Sequence, residues 1–295
     1  MRKPQNQVSI GDWLRGARLR TLPLALSPVI LGSASAWWAG AFDPLLAVLA
    51  LLLAVALQVG VNFANDYSDG IRGTDDYRVG PARLTGSGAV EPHLVKRVAF
   101  LWFGVALVAG LVLVILSASW WLLVIGAFAL LAAWTYTGGK RPYGYRGLGE
   151  VVVFVFFGLV ATIGTAYVQV GAVPGETWLT GSALGFFASA VLLENNLRDI
   201  DQDRQADKRT LAVVLGPTVS KVSITAMLVI PYAIAGVLAL VFIWAPVALV
   251  TGILTAVIVV VIWSGTTAKD LIVALQLTTL NSLLYAIALG AAIAF

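Results

Sequence analysis

Along the 295 residues, long apolar runs without charge alternate with short stretches that gather the ionisable residues. A helix crossing a bilayer needs about 20 apolar residues, and the uncharged intervals measure such helices off. One fits between Arg20 and Asp43, and one between Asp43 and Asp66; the interval from Arg97 to Lys140 is long enough for two, turning at residues 117–121. Another lies between Glu150 and Glu176, ended by Pro174-Gly175, with a shorter one between Glu176 and Glu194. The interval from Lys221 to Lys269 again holds two, turning near Trp244-Ala245-Pro246, and a last helix follows Asp270. The pattern predicts an all-α integral-membrane protein, with nine transmembrane helices in one polytopic domain over residues 1–295.

Nine crossings place the chain ends on opposite sides, which lets the charges test the count. The segments on the N-terminal side are 1–20, about 66–97, 138–150, 194–221 and Lys269-Asp270; they carry 5, 5, 3, 5 and 1 Lys or Arg, which is all 19 in the chain. By the positive-inside rule these segments and the N-terminus are cytoplasmic and the C-terminus lies outside. The net charge of +4 is therefore a matter of topology and implies no nucleic-acid partner. The opposite turns hold Trp37, Trp38, Trp120, Trp121, Trp178 and Trp244, which read as an aromatic belt at the interface.

Composition narrows the chemistry. Charged residues make up 12% and hydrophobic ones 59%, whereas an ordinary soluble domain is about a quarter charged. With no cysteine there is no disulfide, thiolate chemistry or Cys-ligated metal, and one histidine excludes a His-rich metal site. His93, after Glu91-Pro92, reads as a surface or helix-start residue. Residues 1–20 lack an apolar core, so no cleavable signal peptide is expected.

Two polar stretches stand out against this background, Asn65-Asp66-Tyr67-Ser68-Asp69 and Asn195-Asn196-Leu197-Arg198-Asp199. At an offset of 130 positions Asn65 aligns with Asn195, Asp66 with Asn196 and Asp69 with Asp199. The pseudo-repeat extends over residues 62–75 and 195–207, each followed by a long loop, about 66–97 and 194–221, expected to cap a site on the cytoplasmic side. Repeats in membrane proteins commonly set the functional site at their interface. Spacings of three and four put side chains on one helix face, so Asp66 and Asp69 form one cluster and Asn196, Asp199 and Asp203 another. Grouped carboxylates repel unless a cation neutralises them. Hard oxygen ligands without His or Cys suit Mg²⁺, which binds through one or two carboxylates plus substrate phosphates. Asp66, Asp69, Asp199 and Asp203, with Asn65 and Asn196, are the candidate metal ligands.

Basic residues lie among them: Arg72, Arg78 and Arg83 in the first loop, and Arg198, Arg204, Lys208 and Arg209 in the second. Such groups hold diphosphate oxygens, although about half of them read equally as orientation charges. A third stretch, 135–150, places Lys140, Arg141, Tyr143 and several glycines on the same side. It reads either as a pocket wall, with Lys140 and Tyr143 toward substrate, or as a tight turn between helices. A membrane site with metal and basic side chains suits a substrate with an apolar tail and a diphosphate head.

These residues resemble the UbiA superfamily of intramembrane prenyltransferases, over nearly the whole chain. The likeness runs through residues 17–23, 62–70 with 73–75, and 78–84. It continues through the Tyr-Thr-Gly-Gly stretch to Glu150, then 195–199, Asp203, Lys208, Thr210 and Leu211. The paired motifs carry the superfamily, and the flanking stretches are most similar to its branch acting on 1,4-dihydroxy-2-naphthoate. The resemblance implies helices around a central cavity in a bacterial cell membrane, and Mg²⁺ with a polyprenyl diphosphate held by Asp66, Asp69, Asp199 and Asp203. It implies transfer of the polyprenyl chain to the naphthoate carbon bearing the carboxylate, with loss of diphosphate and CO₂, giving demethylmenaquinone. Two departures stand in the motifs: Gly73, with Asp75 two places on, replaces the last Asp of NDxxDxxxD, and Asn196 stands where Asp is frequent. The alternatives are another acceptor on the same fold, such as 4-hydroxybenzoate, and a cation transporter. Against a transporter, the carboxylates gather at one face among Arg and Lys rather than at mid-membrane.

Overall fold

In lipid the backbone has no water to bond, so each apolar run must close its own hydrogen bonds as a helix. The computed structural model describes residues 8–74 and 83–295, and every regular element within them is helical. The helices are α1 (Ile10–Ala17), α2 (Pro23–Trp38), α3 (Pro44–Ile71), α4 (Pro92–Leu116), α5 (Leu122–Thr135), α6 (Gly149–Val170), α7 (Glu176–Arg198), α8 (Ile200–Gln205), α9 (Leu211–Leu238), α10 (Ala245–Ser264) and α11 (Ala268–Ala294). Short 3₁₀ turns stand at Leu19–Thr21 and Tyr143–Arg146.

Seven helices, α3, α4, α6, α7, α9, α10 and α11, are long and apolar enough to cross a membrane. An eighth is added if the segment Ile10–Thr21 and α2 form one span across their 46° bend. The ninth expected span is represented only by α5, whose 14 residues reach about 21 Å at ~1.5 Å per residue, against an apolar core of about 30 Å. The apolar interval it shares with α4 is divided unequally. The earlier helix runs 25 residues to Leu116, and Tyr136-Thr137-Gly138-Gly139 leaves the helix before Lys140.

Local chemistry sets the boundaries. Asp43 caps α3, its Oδ1 accepting from the N–H groups of Leu45 (2.8 Å) and Leu46 (3.1 Å), and Pro23, Pro44 and Pro92 sit at helix starts where their missing N–H costs nothing. Thr267 and Asp270 form a reciprocal capping box on α11. The expected loops are shorter than 66–97 and 194–221. Helix α3 continues to Ile71, α8 occupies part of the second loop, and α9 begins at Leu211, with a break at Gly216 (φ +76°) before Pro217.

Helix α7 is the centre of the bundle, with 67% of its span buried, packed by α6, α9 and α11, while α2 lies against α11 and the second half of α6, and α3 runs along α4. One apolar core joins α7, α9, α10 and α11 through Phe187, Leu193, Leu228, Ile258 and Tyr285, and another joins α3 to α4 through Phe63, Val95 and Phe103. Polar bonds tie helices where lipid would otherwise leave groups unmatched. Thr278 of α11 donates to Oε1 of the fully buried Glu194 on α7 (2.8 Å). Asn281 Nδ2 donates to Thr255 Oγ1 (2.7 Å) and Tyr232 Oη (3.0 Å), joining α9, α10 and α11. All six tryptophans of the expected belt are exposed.

Asn281→Ala removes both bonds and leaves a void among three helices. An unfolding free-energy loss of about 1–3 kcal/mol is expected, read as a lower thermal midpoint in detergent; an unchanged midpoint would mean that this network does not hold the three helices.

Candidate active site

The first motif lies inside the last two turns of α3. Its Asp66 is 2% exposed and both carboxylate oxygens are filled by backbone donors, Thr85 N–H to Oδ1 (2.8 Å) and Leu84 N–H to Oδ2 (2.9 Å). This approach requires Gly70, where a Cβ would stand 2.4 Å from Thr85 Cγ2. Asp69, one turn on, pairs with Arg83 (Nη1–Oδ2 2.9 Å) and accepts from Tyr145 Oη at Oδ1 (2.6 Å). Asn65 accepts from Thr137 Oγ1 (2.8 Å). Arg72 donates to the carbonyls of Thr137 and Gly139 and lies 5.4 Å from the Tyr145 ring.

The second motif straddles the end of α7. Arg198 holds Asp199 (Nη2–Oδ2 2.5 Å) and Asn195 (Nη2–Oδ1 2.9 Å), and Asp199 caps the helix. On α8, Asp203 pairs with Lys208 (3.3 Å) and accepts from Thr210 Oγ1 (3.1 Å). Burial raises the Asp203 carboxyl above the usual range, opposed by Lys208 and reinforced by Asp199. Asn196 donates from Nδ2 to Glu150 Oε1 (2.8 Å).

Tyr145 joins the two halves. Besides its bond to Asp69, its ring lies 5.1 Å from Lys208 Nζ, and its carbonyl accepts from Arg209 N–H (3.2 Å). Tyr136 lies among Glu150, Asp69 and Asp203; burial, then these negative neighbours, pushes its hydroxyl well up, and burial and Asp69 do the same for Tyr145. Both therefore stay protonated and able to donate. Neither was singled out among the tyrosines by sequence reasoning, nor was Glu150 as a partner of Asn196; the density of Tyr and Gly in residues 135–150 was the available signal. Tyr143, expected toward substrate, donates instead to the Ala132 carbonyl of α5 (3.0 Å), and Lys140 is exposed. Arg78 and Asp75 lie outside the described residues.

Among the described residues no three carboxylates or imidazoles are grouped to hold an ion by themselves. The donor set is nonetheless one of hard oxygens only, with one or two carboxylates per cluster. That fits Mg²⁺ carried in with substrate phosphates rather than caged by protein alone.

Long apolar helices, with two carboxylate motifs joined through Tyr145 at one end, define a polytopic membrane protein. Residues 25–279 match the model of the UbiA prenyltransferase family, and the chain belongs to that family. It is 46% identical over 287 residues to the 1,4-dihydroxy-2-naphthoate octaprenyltransferase of Mycobacterium tuberculosis, covering 97% of this chain and 98% of that one. Its fold is similar to the apo structure of a UbiA homolog from Aeropyrum pernix K1, with TM-score 0.70 and 18% identity over 91% of this chain and 96% of that one. It is also similar to a UbiA homolog from Archaeoglobus fulgidus bound to GPP and Mg²⁺, with TM-score 0.66 and 17% identity over 96% and 100%.

Gly70→Ala should push residues 83–88 off α3 and withdraw the donors of Asp66. The expected loss is about 1–3 kcal/mol of stability, with faster tryptic cleavage after Arg83; a cleavage rate like that of the unsubstituted protein would show that the turn does not depend on this approach.

Proposed function

We propose that this protein transfers a polyprenyl chain from an allylic diphosphate to 1,4-dihydroxy-2-naphthoate, the step of menaquinone synthesis that yields demethylmenaquinone at the level of its quinol, with both ring hydroxyls retained. The observation that carries the reading is the 46% identity, over nearly the full length of both chains, to a relative bearing that activity in its name. The site chemistry agrees with it. Asp66, Asp69, Asp199 and Asp203, with Asn65 and Asn196, would hold Mg²⁺, which when bound offsets diphosphate charge and makes diphosphate a better leaving group. Arg83, Arg198 and Lys208 each stand beside a motif carboxylate and would take up phosphate oxygens, with Arg72, Arg78, Lys140 and Tyr143 as further substrate-binding residues. Breaking the C1–O bond leaves an allyl cation and diphosphate. The ring carbon bearing the carboxylate attacks C1, and the C–CO₂ bond then breaks, returning its electrons to the ring and releasing CO₂. No protein base is needed, in keeping with a chain whose one histidine is exposed beside Glu91. Tyr145 and Tyr136, neutral donors between the halves, would orient the leaving diphosphate, and the apolar bundle would exclude water from the cation.

The same reading gives the topology as nine crossings around a central cavity, with α5 completing its passage through the flanking turns. The N-terminus and motif loops face the cytoplasm and the C-terminus the outside. The gathering of all 19 basic residues on one side supports it. Because the chain has no cysteine, Ser87→Cys should react with a membrane-impermeant maleimide only after permeabilisation, and Ala172→Cys in intact cells. The opposite pattern would invert the orientation.

With a polyprenyl diphosphate, Mg²⁺ and the naphthoate labelled separately in ring and carboxylate, the expected product is apolar, keeps the ring label and loses the carboxylate label. EDTA should abolish it, and Asp199→Asn should lower turnover at least about a hundredfold while the protein stays folded in the membrane. Product formation from 4-hydroxybenzoate alone would replace the acceptor.

A further inference from the structure

Among the positions where the two motifs differ, one exchanges a carboxylate for an amide: Asp66 of the first corresponds to Asn196 of the second. The missing carboxylate stands one hydrogen bond away. Glu150, in the first turn of α6, is 3% exposed and Asn196 is 4% exposed, with Asn196 Nδ2 donating to Glu150 Oε1 at 2.8 Å. Ser189, seven residues before Asn196 and on the same face of α7, donates to the Glu150 carbonyl (2.9 Å) and fixes the start of α6 against α7. An asparagine has one donating and one accepting end. With the donating end turned to the Glu150 carboxyl, its carbonyl oxygen points the other way. The second oxygen of Glu150 is buried without a hydrogen-bond partner, and a buried acceptor in that condition calls for a cation or donor to complete it.

We propose that Glu150 and Asn196 act as one split ligand. Asn196 presents its carbonyl oxygen to the metal–diphosphate site, and Glu150 is the positioning residue that sets the amide and supplies the negative charge that Asp66 supplies in the other half. This inference rests on the prenyltransferase reading for the identity of the ligand, but the pairing itself does not.

The test is the reciprocal exchange. Asn196→Asp alone sets two buried carboxylates against each other, and a clear fall in thermal midpoint without metal or substrate is expected, with turnover down at least about tenfold. Glu150→Gln alone still accepts from Asn196 but lacks the charge. Its midpoint should change little, while the Mg²⁺ concentration for half-maximal turnover rises about fivefold or more. The double variant, Glu150→Gln with Asn196→Asp, restores one donor, one acceptor and one charge. It should recover most of the lost midpoint and of the Mg²⁺ dependence, so that the effects of the single changes are strongly non-additive. The midpoint shift on adding MgCl₂ with inorganic diphosphate reads the same recovery without turnover, so failure of the naphthoate assay does not decide the matter. A double variant as impaired as the sum of the two single ones would overturn the pairing. Recovery of the midpoint without recovery of the Mg²⁺ response would reduce the pair to a clamp between α6 and α7 and overturn the ligand role.

Discussion

A carboxylate withdrawn from water at the end of an apolar bundle has to be met by cations or N–H groups, because its desolvation otherwise costs several kcal/mol. That requirement organises the polar end of this protein. Asp66 draws the backbone of Leu84 and Thr85 onto α3, Asp69 draws in Arg83 and Tyr145, Asp199 is gripped by Arg198 and Asp203 by Lys208. The segments at residues 83–85 and 208–210 are thus held down by the residues proposed to do the chemistry.

The compensation also suits the proposed substrate. Each basic side chain resting on a carboxylate is one that a diphosphate would attract, and each carboxylate so released is one that a divalent cation would bind. A metal diphosphate entering between the halves could therefore exchange partners while leaving no buried charge unmatched. Tyr145 lies where such an exchange would be felt by both motifs, since it bonds to Asp69 and carries Lys208 beside its ring.

Much of this was legible in the sequence. The charge-free intervals place α2, α3 and α4 and the turns at 117–121, 174–175 and 244–246, because a lipid-crossing helix leaves a length signature that needs no tertiary information. The repeat at an offset of 130 picks out Asp66, Asp69 and Asp199, because burying a carboxylate at a helix end is rare enough to be informative. The unequal division of the apolar interval between α4 and α5 was not legible, since apolarity alone does not say where one helix yields to the next. Nor were the partners: that Asp66 would be spent on backbone N–H groups, Tyr143 on the Ala132 carbonyl and Tyr145 on Asp69 depends on how a Gly-rich loop folds across three helices. No local spacing encodes that.

The asymmetry between the motifs has an electrostatic reason. An aspartate at 196 would set its carboxylate directly against that of Glu150, in the place where Asn196 Nδ2 now donates to Glu150 Oε1, and like charges in contact at a buried site are costly. An asparagine satisfies Glu150 with its N–H and still offers an oxygen. The residue that looks like a weakened motif is the one that this neighbour allows.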